Sequence, residues 1–526
     1  MKKTALISVF DKAGVVDFAK GLEKLDWWIT STGGTYKTLK AAKIKVIPIE
    51  QITGSPEILD GRVKTISYQI AAGILFDRAK KRHRQEVQAG NLPQIDMVVV
   101  NLYPFEETIS KKHNLEDAIE MIDVGGVTLL RAAAKNYKFV TVLIDPKDYP
   151  LVLEGLEKQG EVPIETRKRL AAKAFWRVSG YDNAIDVYLA RQLLGDSVLK
   201  MSFCKGKQLR YGENPHLAGW FYKEMTNDPL ALQNFKVVQG KELSFNNFLD
   251  ISAAVDALSE IGGDSSACVI VKHNSPAGAA VDRDIEKSYN KAWYSGDPLA
   301  AFGGVIAVNR EVDEKLASEM LSQKGEKKFF EVLIAPSLAS KASKVFSQRK
   351  KLIVLTNKAL GKPKLRKGSD YKYVRGGVLK QDFDSKEIKE KDLKVVTKKK
   401  PTKEQIEDLL FAWRMVKVSK SNAITIVKNQ TLISSGVGQQ DRKEACRIAV
   451  FKATDPARGK NKKTPVGAVA ASDAFFPFAD GPEILIKAGI AAIIQPGGSI
   501  REQETIDLCD KHKIAMVFTS VRAFKH

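Results

Sequence analysis

This chain of 526 residues predicts an α/β fold with a parallel sheet covered by helices. Three observations carry that expectation. The first 150 residues repeat one pattern: a short apolar run, a polar turn, then an amphipathic stretch. MVVVNLYPF at 97–105 is continuously apolar, as a strand buried on both faces must be. The chain closes on IAAIIQP, GGS, a helix from about Arg501 and IAMVFT, a strand–helix–strand unit.

TALISVF is the first strand, and Asp11 can cap the helix after it through a side-chain oxygen. Val15, Val16, Phe18, Ala19, Leu22 and Leu25 then share one helical face. WWIT, STGGT, a second helix and the strand IKVIPI follow. The opening lysines and brief apolar run stop at Asp11 without a small-residue cleavage site, so they read as a strand and not as a signal peptide. The pattern breaks at LLGDSVLKMSFCKGKQ, which places a domain boundary near residue 198 and divides the chain into 1–198 and 199–526. Beyond it CVIVKH, GGVIAVN, EVLIAP, AITIV, IAAIIQP and IAMVFT are strands separated by helical stretches.

Composition excludes several classes. Apolar residues make up 44% and charged residues 28%, an ordinary globular balance, and no run approaches the roughly 18 apolar residues of a membrane span. The four cysteines lie far apart with no zinc spacing, which argues for a reducing cytoplasm and against a structural metal. The net charge of +22 raises a nucleic-acid partner. However, residues 341–403 hold 21 Lys+Arg against 6 Asp+Glu, so most of the excess sits in one segment. Its lysines are scattered and its aromatics few, which fits a solvated basic connector better than a nucleic-acid surface. A field that draws in small polyanions is the remaining reading.

Several short stretches carry residues fit for chemistry. STGGT (31–35) and QPGGS (495–499) each follow a strand and open a helix, where free N–H groups favour an anion. GRVKT, if extended, points Arg62 and Lys64 the same way. NLYPF ends a buried strand, where ligands bind in open parallel sheets, and brings Asn101 and Tyr103. In IDVGGVTLLRAAAKN, Asp123 precedes a Gly-Gly helix start and Lys135 lies near the helix end. One acid, two lysines and a tyrosine make an acid–base set. LRYGENPH gathers Arg210, Tyr211 and His216 in a punctuated loop. KHNSPAG sets Lys272 beside His273 before a turn, SNAI brings Asn422, GQQDR brings Arg442, and DAFFPFADG brings Phe475 and Asp480.

Taken in order along the chain, these segments, with AFGGVIAVN, RGGVLKQD and the closing RAFKH, resemble one family: the bifunctional purine-biosynthesis proteins that join aminoimidazole carboxamide ribonucleotide formyltransferase to inosine monophosphate cyclohydrolase. The resemblance implies a methylglyoxal-synthase-like first domain that closes the purine ring. It implies a second domain of two cytidine-deaminase-like units without zinc, which takes a formyl group from 10-formyltetrahydrofolate. It further implies a cytoplasmic homodimer acting on nucleotide and folate, with no metal, nucleic acid or membrane.

For formyl transfer the resemblance makes His273 the base, Lys272 its neighbour that keeps the imidazole neutral or steadies charge, and Asn422 the oxyanion donor. Arg210, Tyr211, His216, Phe302, Gly303, Glu331, Arg442, Phe475, Asp480, Ser499, Ile500 and Arg522 are its substrate contacts, with Arg442 and Arg522 gripping the nucleotide. For ring closure it implies Lys64, Tyr103, Asp123 and Lys135 as the catalytic set. Asp11, Lys12, Thr32, Gly33, Gly34, Thr35, Arg62, Thr65, Asn101 and Val124 are then the substrate contacts. The chain departs from the family's usual residues at Phe10, Ala13, Ser67 and Ala71. A formyltransferase with an inactive nucleotide-binding first domain, and a nucleic-acid-binding protein on the same scaffold, are the alternatives.

Overall fold

The computed structural model describes residues 2–224, 226–263, 265–322, 328–458 and 465–526. The chain forms two compact units, Met1–Ser202 and Phe203–His526, so residue 198 falls just before the division.

In the first unit, β1 (Thr4–Val9), β2 (Trp28–Ser31), β3 (Val46–Pro48), β4 (Met97–Asn101) and β5 (Thr141–Leu143) make one parallel sheet in the order β3-β2-β1-β4-β5. Ala5, Leu6, Ile7, Met97 and Val98 have no exposure, as central strands covered on both faces require. Val15, Phe18, Ala19 and Leu22 are buried along helix Val15–Lys24, as their spacing predicts, while Val16 and Leu25 are half-buried at its margin. Asp11 does not cap this helix. Gly14 occupies the N-cap position, and the Asp11 carboxylate accepts instead from the Ala13 N–H at 2.9 Å, closing a turn one step earlier. A long helix, Ile164–Leu189, packs across the unit through Leu170, Ala174, Val178 and Tyr181.

The remaining strands are β6 (Phe203–Gln208), β7 (Trp220–Glu224), β8 (Lys236–Gln239), β9 (Ser266–Lys272), β10 (Ser275–Asp282), β11 (Gly304–Val308), β12 (Phe330–Ala335), β13 (Ile353–Thr356), β14 (Ser369–Val374), β15 (Gly377–Asp382), β16 (Lys394–Val395), β17 (Ile424–Lys428), β18 (Thr431–Gly436), β19 (Val469–Ser472), β20 (Ala492–Gln495) and β21 (Ala515–Phe518). Twelve of them form one mixed sheet, β16-β21-β20-β19-β17-β18-β10-β9-β11-β12-β13-β8, and β6–β7 and β14–β15 are separate hairpins.

The large sheet is an internal duplication. Helix Phe245–Ile261 leads into β9–β13 as helix Lys403–Lys417 leads into β17–β21, and the halves join where β10 runs antiparallel to β18 at Ala280 and Thr431. Strand alternation builds the layers. Ala267, Val269 and Val271 of β9 face a core shared with both leading helices, whereas Cys268 and Ile270 face a second core under helix Ile285–Tyr294. In the other half Ala492 and Ile494 face the shared core, and Ile493 faces a third under helix Arg442–Thr454.

The basic stretch 341–403 is not a plain connector. It contributes β13, whose Ile353, Val354 and Leu355 are buried mid-sheet, the exposed hairpin β14–β15 and the edge strand β16. The apolar run that becomes β13 holds four consecutive buried residues, Leu352 to Leu355, which a charge count over 63 residues averages away.

Candidate active sites

At the C-terminal ends of β1, β2 and β4 the first unit opens a cleft of about 630 Å³. Lys12, Thr32, Gly34, Thr35, Arg62, Lys64, Thr65, Asn101, Tyr103, Asp123 and Val124 all line it. The first turn of helix Gly33–Ala41 forms one wall, and the other is the start of helix Gly125–Lys135, where the Asp123 carboxylate accepts from the Gly126 N–H at 2.6 Å. Burial pushes the Asp123 carboxyl above the ordinary carboxylate range, against the pull of the Gly126 and Tyr103 N–H groups and of Lys64. Burial likewise lowers the Lys12 ammonium; Asp11 opposes that shift and Lys64 adds to it. Both shifts favour the neutral form of the group, and Lys64 acts on both residues.

Several of these lining residues also hold the cleft together. Thr35 Oγ1 both donates to Val9 O at 2.9 Å and accepts from Val9 N at 3.1 Å, and Thr32 Oγ1 shares a 3.0 Å bond with Ser8. Asn101 ties the loop after β1, accepting from Asp11 N at 3.0 Å and donating to Asp11 O at 2.8 Å. A Cβ added to Gly33 would stand 4.0 Å from Lys64 Nζ, so the expected phosphate loop and the catalytic lysine are neighbours.

Two expectations change. Arg62 is not extended: it follows a short 3-10 turn with helical angles, and its exposed guanidinium pairs with Glu120 at 2.5 Å, so strand alternation is not what aims it. Lys135 does not line the cleft. It ends the helix whose first turn holds the cleft wall, so at 1.5 Å per residue it lies about 15 Å further along the axis. It faces instead an open depression with Leu75, Arg131, Lys168 and Phe175.

Sequence reasoning also missed two residues that support the cleft, Tyr181 and Glu57, and noted a third, Phe10, only as a departure from the family. Tyr181, 58 positions away, accepts from the Asp123 N–H at 2.8 Å and donates to Met121 O at 2.7 Å; burial holds its hydroxyl up at about 12. Glu57 reaches the Gly61–Lys64 turn, with its carboxylate where a Gly61 Cβ would stand. Phe10, a departure from the family's residue, sets its ring edge-on to Tyr103 at 5.6 Å. No motif announces Tyr181 or Glu57.

In the second unit, strand directions bring the expected formyl-transfer residues to one edge of the twelve-stranded sheet. The end of β9, the starts of β10, β11, β12 and β17, and the ends of β18, β19, β20 and β21 share that edge. His273 and Asn274 form the two-residue turn between β9 and β10. Both are left-handed (φ 55° and 61°), as a type I′ hairpin demands, and the imidazole is exposed. Lys272 Nζ donates to Phe302 O at 2.6 Å, the Gly303 N–H donates to Phe329 O at 2.7 Å, and the Phe302 and Phe329 rings lie 5.3 Å apart. Glu331, one residue into β12, pairs with Lys241 at 3.3 Å and accepts from Asn247 at 3.3 Å.

The strand of backbone that carries Asn422 is bonded to the same hairpin. Lys420 N donates to Ser275 Oγ at 3.4 Å, two residues from each of Asn422 and His273. Asn422 Nδ2 donates to Gln439 O at 2.9 Å and to Gln440 O at 3.1 Å, and its Oδ1 accepts from Arg442 at 2.5 Å. Arg442 itself is buried. It also bonds Ser472 Oγ at 2.8 Å and pairs with Asp473, which Ser421 bonds in turn. Its guanidinium is bonded within the chain and fixes the Asn422 carboxamide. Asp473, fully buried, is the missed residue that fixes this group.

The outer contacts are looser. Arg210, with Tyr211 5.5 Å from its guanidinium, and His216 sit on the loop joining β6 to β7. Phe475 is 38% exposed and Asp480 pairs with Lys443 at 3.2 Å. Ser499 and the wholly exposed Ile500 follow β20, and Arg522 lies over Phe524 at 4.4 Å. QPGGS does not itself open a helix, which begins only at Glu502, and its Gly498 N–H donates to the Glu502 carboxylate at 2.8 Å. Among the described residues no group of three or more His, Cys, Asp or Glu is placed to hold a metal ion, and no helix is long and apolar enough to cross a membrane.

The chain is similar to known proteins along its whole length. The family described as AICARFT/IMPCHase bienzyme matches residues 133–452, and the MGS-like domain family matches 14–128. Two relatives are each named Bifunctional purine biosynthesis protein PurH. That of Acetivibrio thermocellus is 47% identical over 531 aligned residues and that of Anoxybacillus flavithermus 46% over 530, in both cases covering 100% of either chain. A solved structure titled Crystal structure of ForH is 38% identical, with a TM-score of 0.31, covering 35% of this chain and 96% of that one. The chain belongs to the AICARFT/IMPCHase bienzyme family and is a bifunctional enzyme of purine biosynthesis.

Proposed function

We propose that the two activities divide between the two units, with ring closure in the cleft of the first and formyl transfer along the sheet edge of the second. The enzyme carries out the last two steps of purine biosynthesis, and its transferase step uses a folate co-substrate. The donor in this reading is 10-formyltetrahydrofolate and the acceptor the 5-amino group of aminoimidazole carboxamide ribonucleotide. That amine is a weak nucleophile because its lone pair is delocalised into the ring. As its nitrogen bonds to the formyl carbon, His273 takes the amine proton, and Asn422 Nδ2 exchanges one of its two bonds, that to Gln440 O, for a bond to the developing oxyanion. The bond from the formyl carbon to folate N10 then breaks, and N10 is protonated. Removing one oxyanion donor costs on the order of 3 kcal/mol in such sites.

In the cleft the carboxamide nitrogen attacks the formyl carbon of the same molecule, and the former formyl oxygen leaves as water. Lys64 steadies that oxygen while Asp123 and Tyr103 exchange protons with it. Holding both ends of one substrate supplies several kcal/mol by positioning alone. The residues of the loop after β1 and of the helix Gly33–Ala41 start hold the phosphate. The reading includes a cytoplasmic homodimer formed through the second unit, in which a folate and a nucleotide lie side by side out of water. Four unpaired cysteines suit that compartment.

The observation that carries this proposal is the separation of two sets of acid–base residues: Lys64, Tyr103 and Asp123 line one cleft of the first unit, and His273 and Asn422 share a sheet edge in the second. His273→Ala should abolish formyl transfer while cyclisation of added formylated nucleotide continues, and Tyr103→Phe should do the reverse. Loss of both activities in a folded single variant would overturn the division. Cyclisation at the wild-type rate in both Lys64→Ala and Tyr103→Phe would mean that the first unit works through other groups, and an unmodified enzyme that does not cyclise added formylated nucleotide would favour the formyltransferase-only alternative.

A further inference from the structure

The duplication in the second unit extends to the mould around the His273 turn. On the first half, the Asp250 carboxylate accepts from the Asn274 N–H at 2.8 Å and also faces the His273 N–H, while Lys272 reaches Phe302 O at 2.6 Å beside Gly303 (φ 81°). On the second, Asp408 accepts from the Asn429 N–H at 2.8 Å and the Gln430 N–H at 2.6 Å. Lys428 there reaches Val466 O at 2.8 Å beside Gly467 (φ 75°). Asn429 and Gln430 are left-handed too, at φ 52° and 50°. Lysine, turn backbone, helix carboxylate and glycine are thus repeated, and what differs is the side chain displayed: imidazole in one copy, carboxamide in the other.

We propose that Asp250 is a positioning residue for formyl transfer, holding the left-handed His273–Asn274 backbone so that the imidazole stands at the sheet edge facing Asn422. This rests on the reading of His273 as the base. The physical argument is that an exposed two-residue turn in a sparsely populated conformation does not hold its own direction. A carboxylate on helix Phe245–Ile261, anchored in the shared core, ties that turn to the most rigid part of the unit. One carboxyl group meets both N–H groups of the turn, so its removal frees both at once. Asp408 does the same for a turn with no histidine, so its contribution is to folding alone.

The twin supplies the control. Asp250→Ala and Asp408→Ala remove equivalent bonds, so thermal unfolding of the full-length enzyme should fall by similar amounts in both. Only Asp250→Ala should lower kcat for formyl transfer, by about 10- to 100-fold, with both KM values within about threefold, because a base displaced by about 1 Å loses rate rather than binding. Asp250→Asn keeps one acceptor and should recover part of the loss. In the His273→Ala background, adding Asp250→Ala should slow the residual rate no further. Equal kcat in the Asp250→Ala and Asp408→Ala enzymes would overturn the proposal, as would an additive double variant. If Asp250→Ala does not fold, Asp250→Asn with wild-type kcat overturns it equally. His273→Ala at the wild-type rate would remove the base itself and this inference with it, whereas an inactive His273→Ala beside a fully active Asp250→Ala removes this inference alone.

Discussion

Asp123 illustrates how one residue trades stability for chemistry. Its burial raises the carboxyl above the value of about 3.9 that it has in an unfolded chain. With the folded value above the unfolded one, its stabilising contribution is complete below the unfolded value and is lost as pH rises through the folded value. Asp123→Asn should therefore unfold at no lower temperature than wild type at pH 7, and that relation should fade as the pH is taken below about 4. Cyclisation in the same variant should drop by about 100-fold or more, as removal of a proton-transfer group does. A melt at two pH values and one cyclisation assay check both halves. A variant clearly less stable than wild type at pH 7 would show that the Gly126 bond, and not burial, dominates.

Between elements, packing distance decides more than any single bond. Helix Arg442–Thr454 lies so close to β18 that a Cβ on Gly436 would stand 2.0 Å from Ala445 O, a backbone atom that cannot swing aside. Gly436→Ala must then push the helix off the sheet, at a cost of about 1–3 kcal/mol or more. Arg442 begins that helix and holds Asn422, so the same substitution should slow formyl transfer while leaving cyclisation unchanged. Unfolding curves and paired assays give the test. Unaltered formyl transfer in a destabilised variant would mean that Asn422 keeps its place without Arg442.

At the scale of the molecule, the second unit exposes Phe203, Trp220, Tyr222, Tyr373 and Leu379 on its two separate hairpins. Large apolar residues left exposed on a hairpin are what an interaction surface covers. Sedimentation at micromolar concentration should return a dimer, and Tyr373→Glu with Leu379→Glu should shift it toward monomer and reduce formyl transfer with it. A monomer that transfers formyl groups at the full rate would refute the shared arrangement.

The sequence by itself determined the local and the periodic. The strands from TALISVF to IAMVFT, the buried helix face from Val15 to Leu22 and the order of motifs that marks the family all depend on neighbours in the chain, and all were legible there. Even so, the Asp11 cap went to Gly14, because competing turns one residue apart differ by less than a propensity can resolve. Only the tertiary structure decided which candidates meet. Lys135 is twelve residues from Asp123 and ends the helix that follows it, yet helical rise carries it away from the cleft, while Tyr181 comes back from position 181 to touch Asp123. Asp473 and Asp250 stand in no motif, because their function is to accept hydrogen bonds from partners that only the fold brings near: Arg442 and Ser421 for one, the His273–Asn274 turn for the other. Patterns of period 2 and 3.6 report which face of an element is buried, but they do not report what a polar side chain at the edge of a sheet will find opposite it.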